Sequence, residues 1–148
     1  MASQADSPSL GNAAFAHCPQ IETQEPSMTI AFYLAAGLAA LVFLAAGLMK
    51  LIRPKADLAE SGLTWVQDYS SSSVKLIGAA EILGAIGLIA PAATSISPVL
   101  SPISGICLTM IMLGAVFVHA RRREAPGMQI GLAALTVAAT VLGFLTVA

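Results

Sequence analysis

The sequence predicts an all-α fold, specifically an integral membrane four-helix bundle. The composition points there first: 57% hydrophobic and 10% charged, against about 45–50% and about 25% in soluble domains. Next, four stretches are each close to the ~20 apolar residues that a helix needs to cross the hydrocarbon core. Finally, those stretches are continuously apolar, whereas a membrane barrel strand alternates over only ~10 residues. Disorder is excluded, because disordered chains are rich in charge and poor in apolar residues. With a net charge of −1 and 5% aromatics, the chain has neither the basic stripe nor the stacking platform of a nucleic-acid binder.

The polar segment 1–27 precedes the membrane domain, 28–148. It is expected to be either a disordered extracellular tail or an over-long start, with Met28 the alternative first residue. It holds no Lys or Arg, so it lacks the basic region that opens a secretory signal. His17-Cys18-Pro19 within it reads as an incidental tail sequence. Cys18 and Cys107 form no Cys-x-x-Cys pair, which removes a dithiol redox centre of that kind.

The first span, about 28–49, is uncharged and ends at Lys50. The loop from Arg53 to Ser73 follows. Pro54 suits the start of a short helix. Leu58, Trp65, Val66 and Tyr69 are expected on the membrane surface, Trp65 as an interfacial anchor, with Asp57, Glu60 and Asp68 facing water. Ser70 to Ser73 read as a flexible joint with Ser73 as a helix cap. The second span, about 76–96, carries one charge, Glu81, and includes Pro91. The third, about 99–120, has Cys107 near its middle and His119 at its end. Cys107 is expected to be buried as a small hydrophobe. The fourth runs over about 128–147. Gly37, Gly47, Gly87, Gly131 and Gly143 read as helix-packing contacts.

All seven Lys and Arg lie between spans one and two or between spans three and four. Positively charged loops stay in the cytoplasm, so both termini are expected outside. Glu81 is the chemically conspicuous residue. An intramembrane acid is costly and faces a bundle interior or a water-filled cavity. Gly78, Gly84 and Ala85 share its face and admit a neighbouring helix. Lys50 can reach inward along its methylene stem, so a Lys50–Glu81 pair with His119 nearby is the expected polar cluster. It serves either to tie three helices together or to form a binding pocket for a proton, quinone or other ligand head group.

Several short motifs resemble the DoxX-like family of small four-helix membrane proteins. They are Ala46-Gly47-Leu48-Met49-Lys50-Leu51 with Pro54, then Gly62 and Trp65. Lys75-Leu76-Ile77-Gly78-Ala79-Ala80-Glu81-Ile82-Leu83-Gly84 follows, with Gly87-Leu88-Ile89 and Pro91. Gly114-Ala115, His119, Arg122 and Glu124 complete the set. The resemblance covers about 28–148. It implies a multi-pass protein of a bacterial cell membrane, in a family that includes a subunit of a thiosulfate:quinone oxidoreductase, membrane partners of oxidative-stress enzymes and helpers in membrane-protein assembly. A quinone, if bound, would lie at Lys50, Glu81 and His119; no cofactor is identifiable from the residues alone, and no metal site is expected.

The leading expectation is a non-catalytic component or partner of a membrane redox system, working with a membrane or cytoplasmic redox protein in the lipid bilayer and able to form homo-oligomers. The alternatives are a proton-coupled transporter of small lipophilic compounds using Glu81, an assembly helper, and an enzyme on a lipid-soluble substrate with Glu81 and His119 as acid and base.

Overall fold

The structure is a computed structural model that describes residues 26–146. The His17-Cys18-Pro19 reading, with the rest of segment 1–25, lies outside the described residues. The elements are α1 (Pro26–Ile52), α2 (Lys55–Glu60), a 3-10 turn (Thr64–Asp68), α3 (Ser71–Thr94), α4 (Leu100–Arg121) and α5 (Gly127–Thr146). Among the described residues there is no strand. α1, α3, α4 and α5 are each long and apolar enough to cross a membrane, as a backbone must be helical to satisfy itself in lipid.

The four spans close a ring in which α1 packs on α3 and α5, and α4 packs on the same two. Consecutive spans are antiparallel, so the two positively charged connections lie at one end, called the basic end below. The ring is filled by small side chains. Ala36, Ala39 and Ala40 of α1, Ala85 of α3 and Ala133 and Ala139 of α5 are buried with Phe32, Phe43, Leu88, Leu108 and Met112. Larger residues such as Leu34, Leu41, Leu76 and Leu83 point outward. Lipid is as apolar as leucine, so association rests on close packing of small residues rather than on burying the large ones.

Several sequence expectations are corrected. α1 starts at Pro26, which puts two residues of the assigned tail into the first span. α3 begins at Ser71 because Ser70, not Ser73, is its cap: the Ser70 hydroxyl accepts from the Ser73 amide at 3.1 Å. The serine run is therefore the first helical turn rather than a flexible joint. Pro91 lies inside α3, which ends at Thr94, two residues short of the expected end of the span. Proline disturbs the backbone ladder around it; here the Ala92 amide donates to the Ser101 hydroxyl of α4 at 3.1 Å, so a neighbouring helix satisfies the displaced group.

Leu58 and Val66 do not lie on the membrane surface. They are buried with Val74, and Met49, Ala59, Leu63 and Trp65 pack around them. The loop thus folds into a small plug under the basic end. Its apolar residues find each other before they find lipid. Trp65 is partly covered by this plug and meets Tyr69 edge to face at 5.8 Å, whereas Tyr69 is exposed. Cys107 is exposed on the outer face of α4, because Leu108, one residue on, takes the inward position. Among the glycines assigned to packing, Gly47, Gly87 and Gly143 do face neighbours, but a Cβ at Gly37 or Gly131 would meet nothing within 4 Å.

Candidate functional site

Glu81 lies ten residues into α3, which begins at Ser71. That is about 15 Å along the axis, close to mid-span. Both of its oxygens accept from the Lys50 amine, Oε1 at 2.8 Å and Oε2 at 2.6 Å. The two side chains are 8% and 3% exposed, so the pair is shielded from both lipid and water.

The backbone explains the encounter. α1 and α3 cross at Gly47 and Gly78. A Cβ on Gly78 would stand 2.8 Å from the Gly47 carbonyl oxygen, and one on Gly47 would stand 2.6 Å from the Gly78 oxygen. Only hydrogen fits there. Lys50 and Glu81 each lie three residues beyond their glycine, in opposite directions along an antiparallel pair, so their Cα atoms differ in height by about 9 Å. In a helix each Cα–Cβ bond tilts toward the N-terminus. The Lys50 side chain therefore leans up toward Glu81, and Glu81 leans down toward Lys50. The pattern Gly-x-x-Lys facing Gly-x-x-Glu is a register device: the glycines fix the approach and the charges lock it.

His119 does not join this pair. Contacts of Gly84 with Leu108 and of Gly87 with Ser104 set the α3–α4 register. His119, eleven residues past Leu108, then falls roughly 12 Å nearer the basic end than Glu81. There its Nδ1 lies 2.8 Å from Glu124 Oε2 and its Nε2 lies 3.1 Å from the Gln129 amide nitrogen. With Nδ1 donating to the carboxylate, Nε2 accepts from the amide. Glu124 Oε1 also accepts from Arg122 Nε at 2.8 Å and from the Thr64 hydroxyl at 2.8 Å. The Arg122 guanidinium in turn donates to Asp68. This strap ties the 3-10 turn to the connection between α4 and α5. Sequence reasoning missed Thr64, Asp68 and Gln129 as its members. Arg122 and Glu124 stood in the family pattern, but nothing local in the sequence linked them across 54 or more positions to the first loop.

The Arg122 guanidinium, followed by the Thr64 hydroxyl, holds the Glu124 carboxyl below its ordinary value of 4.5. Glu124 and then Asp68 raise the already high Arg122. A carboxyl lowered by folding contributes stability above its unfolded value, and that contribution is lost as pH falls through the folded value. The strap should therefore hold from neutral pH to about 4.5 and release below it. Trp65 is the sole tryptophan and sits in the plug that the strap holds. Its emission should stay constant from neutral pH down to the ordinary carboxylate range and shift below it. In Glu124→Gln the shifted emission should already be present at neutral pH; an unaltered neutral spectrum and an unaltered acid transition in that variant would count against the strap.

Within the bundle, Thr109 Oγ1 lies 2.9 Å from Thr136 Oγ1 and joins α4 to α5. Among the described residues no three His, Cys, Asp or Glu side chains are grouped to hold a metal ion. A family model described as the DoxX-like family matches residues 34–141. No curated protein and no solved structure gives a significant match. The matched segment contains the glycine crossing, the Lys50–Glu81 pair and the whole strap, and the chain belongs to the DoxX-like family of multi-pass membrane proteins.

Proposed function

We propose that the protein is a non-catalytic membrane component that serves a redox system, holding a quinone-linked or oxidative-stress enzyme at the bilayer. The observation that carries this reading is the saturation of Glu81 by Lys50 at 2.8 and 2.6 Å beside a crossing with no spare volume. A carboxylate so held is a fixed post between α1 and α3, suited to keeping a scaffold rigid for a partner. Its basic end faces the cytoplasm, where positively charged loops are retained. That places the plug and strap where a cytoplasmic partner, or the cytoplasmic part of a membrane partner, can reach them.

The experiment is isolation in mild detergent through a tag after Ala148, with mass spectrometry of the proteins and quinones carried along. A redox protein or a stoichiometric quinone is expected; a lone chain without quinone would overturn the reading. The same tag should be open to protease only from outside the cell. The transporter reading draws on the same intramembrane carboxylate, since proton coupling would require Glu81 to release Lys50 in each cycle. Cells expressing wild type or Glu81→Gln should tolerate lipophilic cations equally. A tolerance conferred by the wild type and lost in the variant would favour transport instead.

A further inference from the structure

At the basic end a cavity of about 360 Å³ opens between the end of α1, the start of α2 and the first turns of α3. Four of the residues that line it are basic: Lys50, Arg53, Lys55 and Lys75. No acid lines it. Lys50 is engaged by Glu81. Lys55 is anchored by the backbone carbonyls of Gln67 at 3.0 Å and Tyr69 at 2.7 Å, which holds its ammonium in place and neutralises none of its charge. Arg53 and Lys75 are exposed, and among the described residues neither side chain has a hydrogen-bond or ion-pair partner. Ser71 adds the first turn of α3 to the lining, the end at which a helix presents free amides and the positive pole of its dipole.

With Lys50 paired to Glu81, the three cations left around the hollow repel one another, and an anion in it would offset that repulsion. The fold nevertheless brings them together from three elements, and two backbone carbonyls hold one of them there. The volume falls at the lower end of the range for ligand sites. The basic lining residues come from the end of α1, the start of α2 and the first turns of α3, an arrangement that suits a group with several equivalent oxygens. The hollow also lies where the spans end, at headgroup depth. We propose that this cavity binds a phosphate group, presented by an anionic phospholipid headgroup or as free phosphate, with Arg53 and Lys75 as its principal ligands and Lys55 as a fixed third donor.

The test uses the full chain in nanodiscs. One arm adds phosphatidylglycerol to phosphatidylcholine discs and measures lipid retained by native mass spectrometry. The other adds inorganic phosphate to purely phosphatidylcholine discs and measures saturable thermal stabilisation. Arg53→Gln/Lys75→Gln should weaken binding by about 30-fold, the effect of removing two interfacial cations. Lys75→Glu should weaken it too. Arg121→Gln/Arg123→Gln, altering cations at the same end outside the cavity lining, should leave binding intact. Retained phosphatidylglycerol that the Arg53/Lys75 variant loses assigns a lipid headgroup. Saturable phosphate stabilisation that the same variant loses assigns free phosphate. Equal binding by wild type and that variant, or an equal loss in the Arg121/Arg123 variant, would overturn the proposal.

Discussion

Lys50→Met should destabilise the bundle by about 3–5 kcal/mol, the cost of leaving one member of a buried pair uncompensated. Glu81→Gln should cost less, about 1.5–3 kcal/mol, the range for a hydrogen bond to a charged group. The asymmetry comes from depth. Lys50 is two residues from the end of α1, so without Glu81 its stem can straighten and carry the ammonium toward the headgroups. Glu81 is near the middle of α3 on a short side chain and has no such exit. In Lys50→Met/Glu81→Leu both charges are gone and apolar groups fill the volume. Its stability should recover above that of Lys50→Met, since apolar replacement of a buried pair is often neutral or stabilising. The four proteins, wild type and three variants, would be compared by reversible unfolding in mixed micelles. A Glu81→Gln loss larger than that of Lys50→Met would refute the depth argument. A double variant no better than Lys50→Met would show that the ion pair is not what the single substitution removes.

Most of the bundle was legible because hydrocarbon imposes simple requirements. Four apolar lengths, and cations confined to alternate connections, are enough to define four spans and their relative directions. The Lys50–Glu81 pair was legible too, from an intramembrane acid that needed a partner and a lysine at the end of the preceding span. What the sequence concealed is specific. Leu58, Trp65, Val66 and Tyr69 alternate with acids as an interfacial helix would, yet Leu58 and Val66 bury against Val74. An amphipathic stretch has the same pattern whether it meets lipid or its own chain. His119 sits at the end of a span on the same side as Lys50, and that placement alone suggested one shared cluster. The register between α3 and α4, set by Gly84 against Leu108 and Gly87 against Ser104, separates them. The side of α4 that carries Cys107 depends on that same register. The small and polar residues Ser101, Ser104, Gly105 and Thr109 mark the inward face of α4, and Cys107 lies away from it.

Gly78→Ala should cost about 1–3 kcal/mol, the penalty for overpacking a site that cannot relax. The added methyl would stand 2.8 Å from the Gly47 carbonyl oxygen and 2.9 Å from Lys50 Cβ. The first of these atoms is backbone, so α1 and α3 must move apart as rods. Parting the rods lengthens the reach from Lys50 to Glu81. A larger residue at the same position, as in Gly78→Leu, should therefore add the cost of a weakened pair and approach that of Lys50→Met. Gly114 provides the control, because a Cβ there meets nothing within 4 Å. Gly114→Ala should be neutral or stabilising by about 0.4–1 kcal/mol through the restricted unfolded chain. The coupling between the sites is the sharper observation. If the glycine crossing exists to bring the charges together, then Gly78→Ala should cost less once Lys50→Met/Glu81→Leu has removed them. Residues in contact typically show interaction energies of about 0.5–3 kcal/mol in such cycles. Strict additivity would mean that the close approach of α1 and α3 serves packing alone, and that the ion pair tolerates helices set further apart. A Gly78→Ala cost no greater than that of Gly114→Ala would remove the crossing itself.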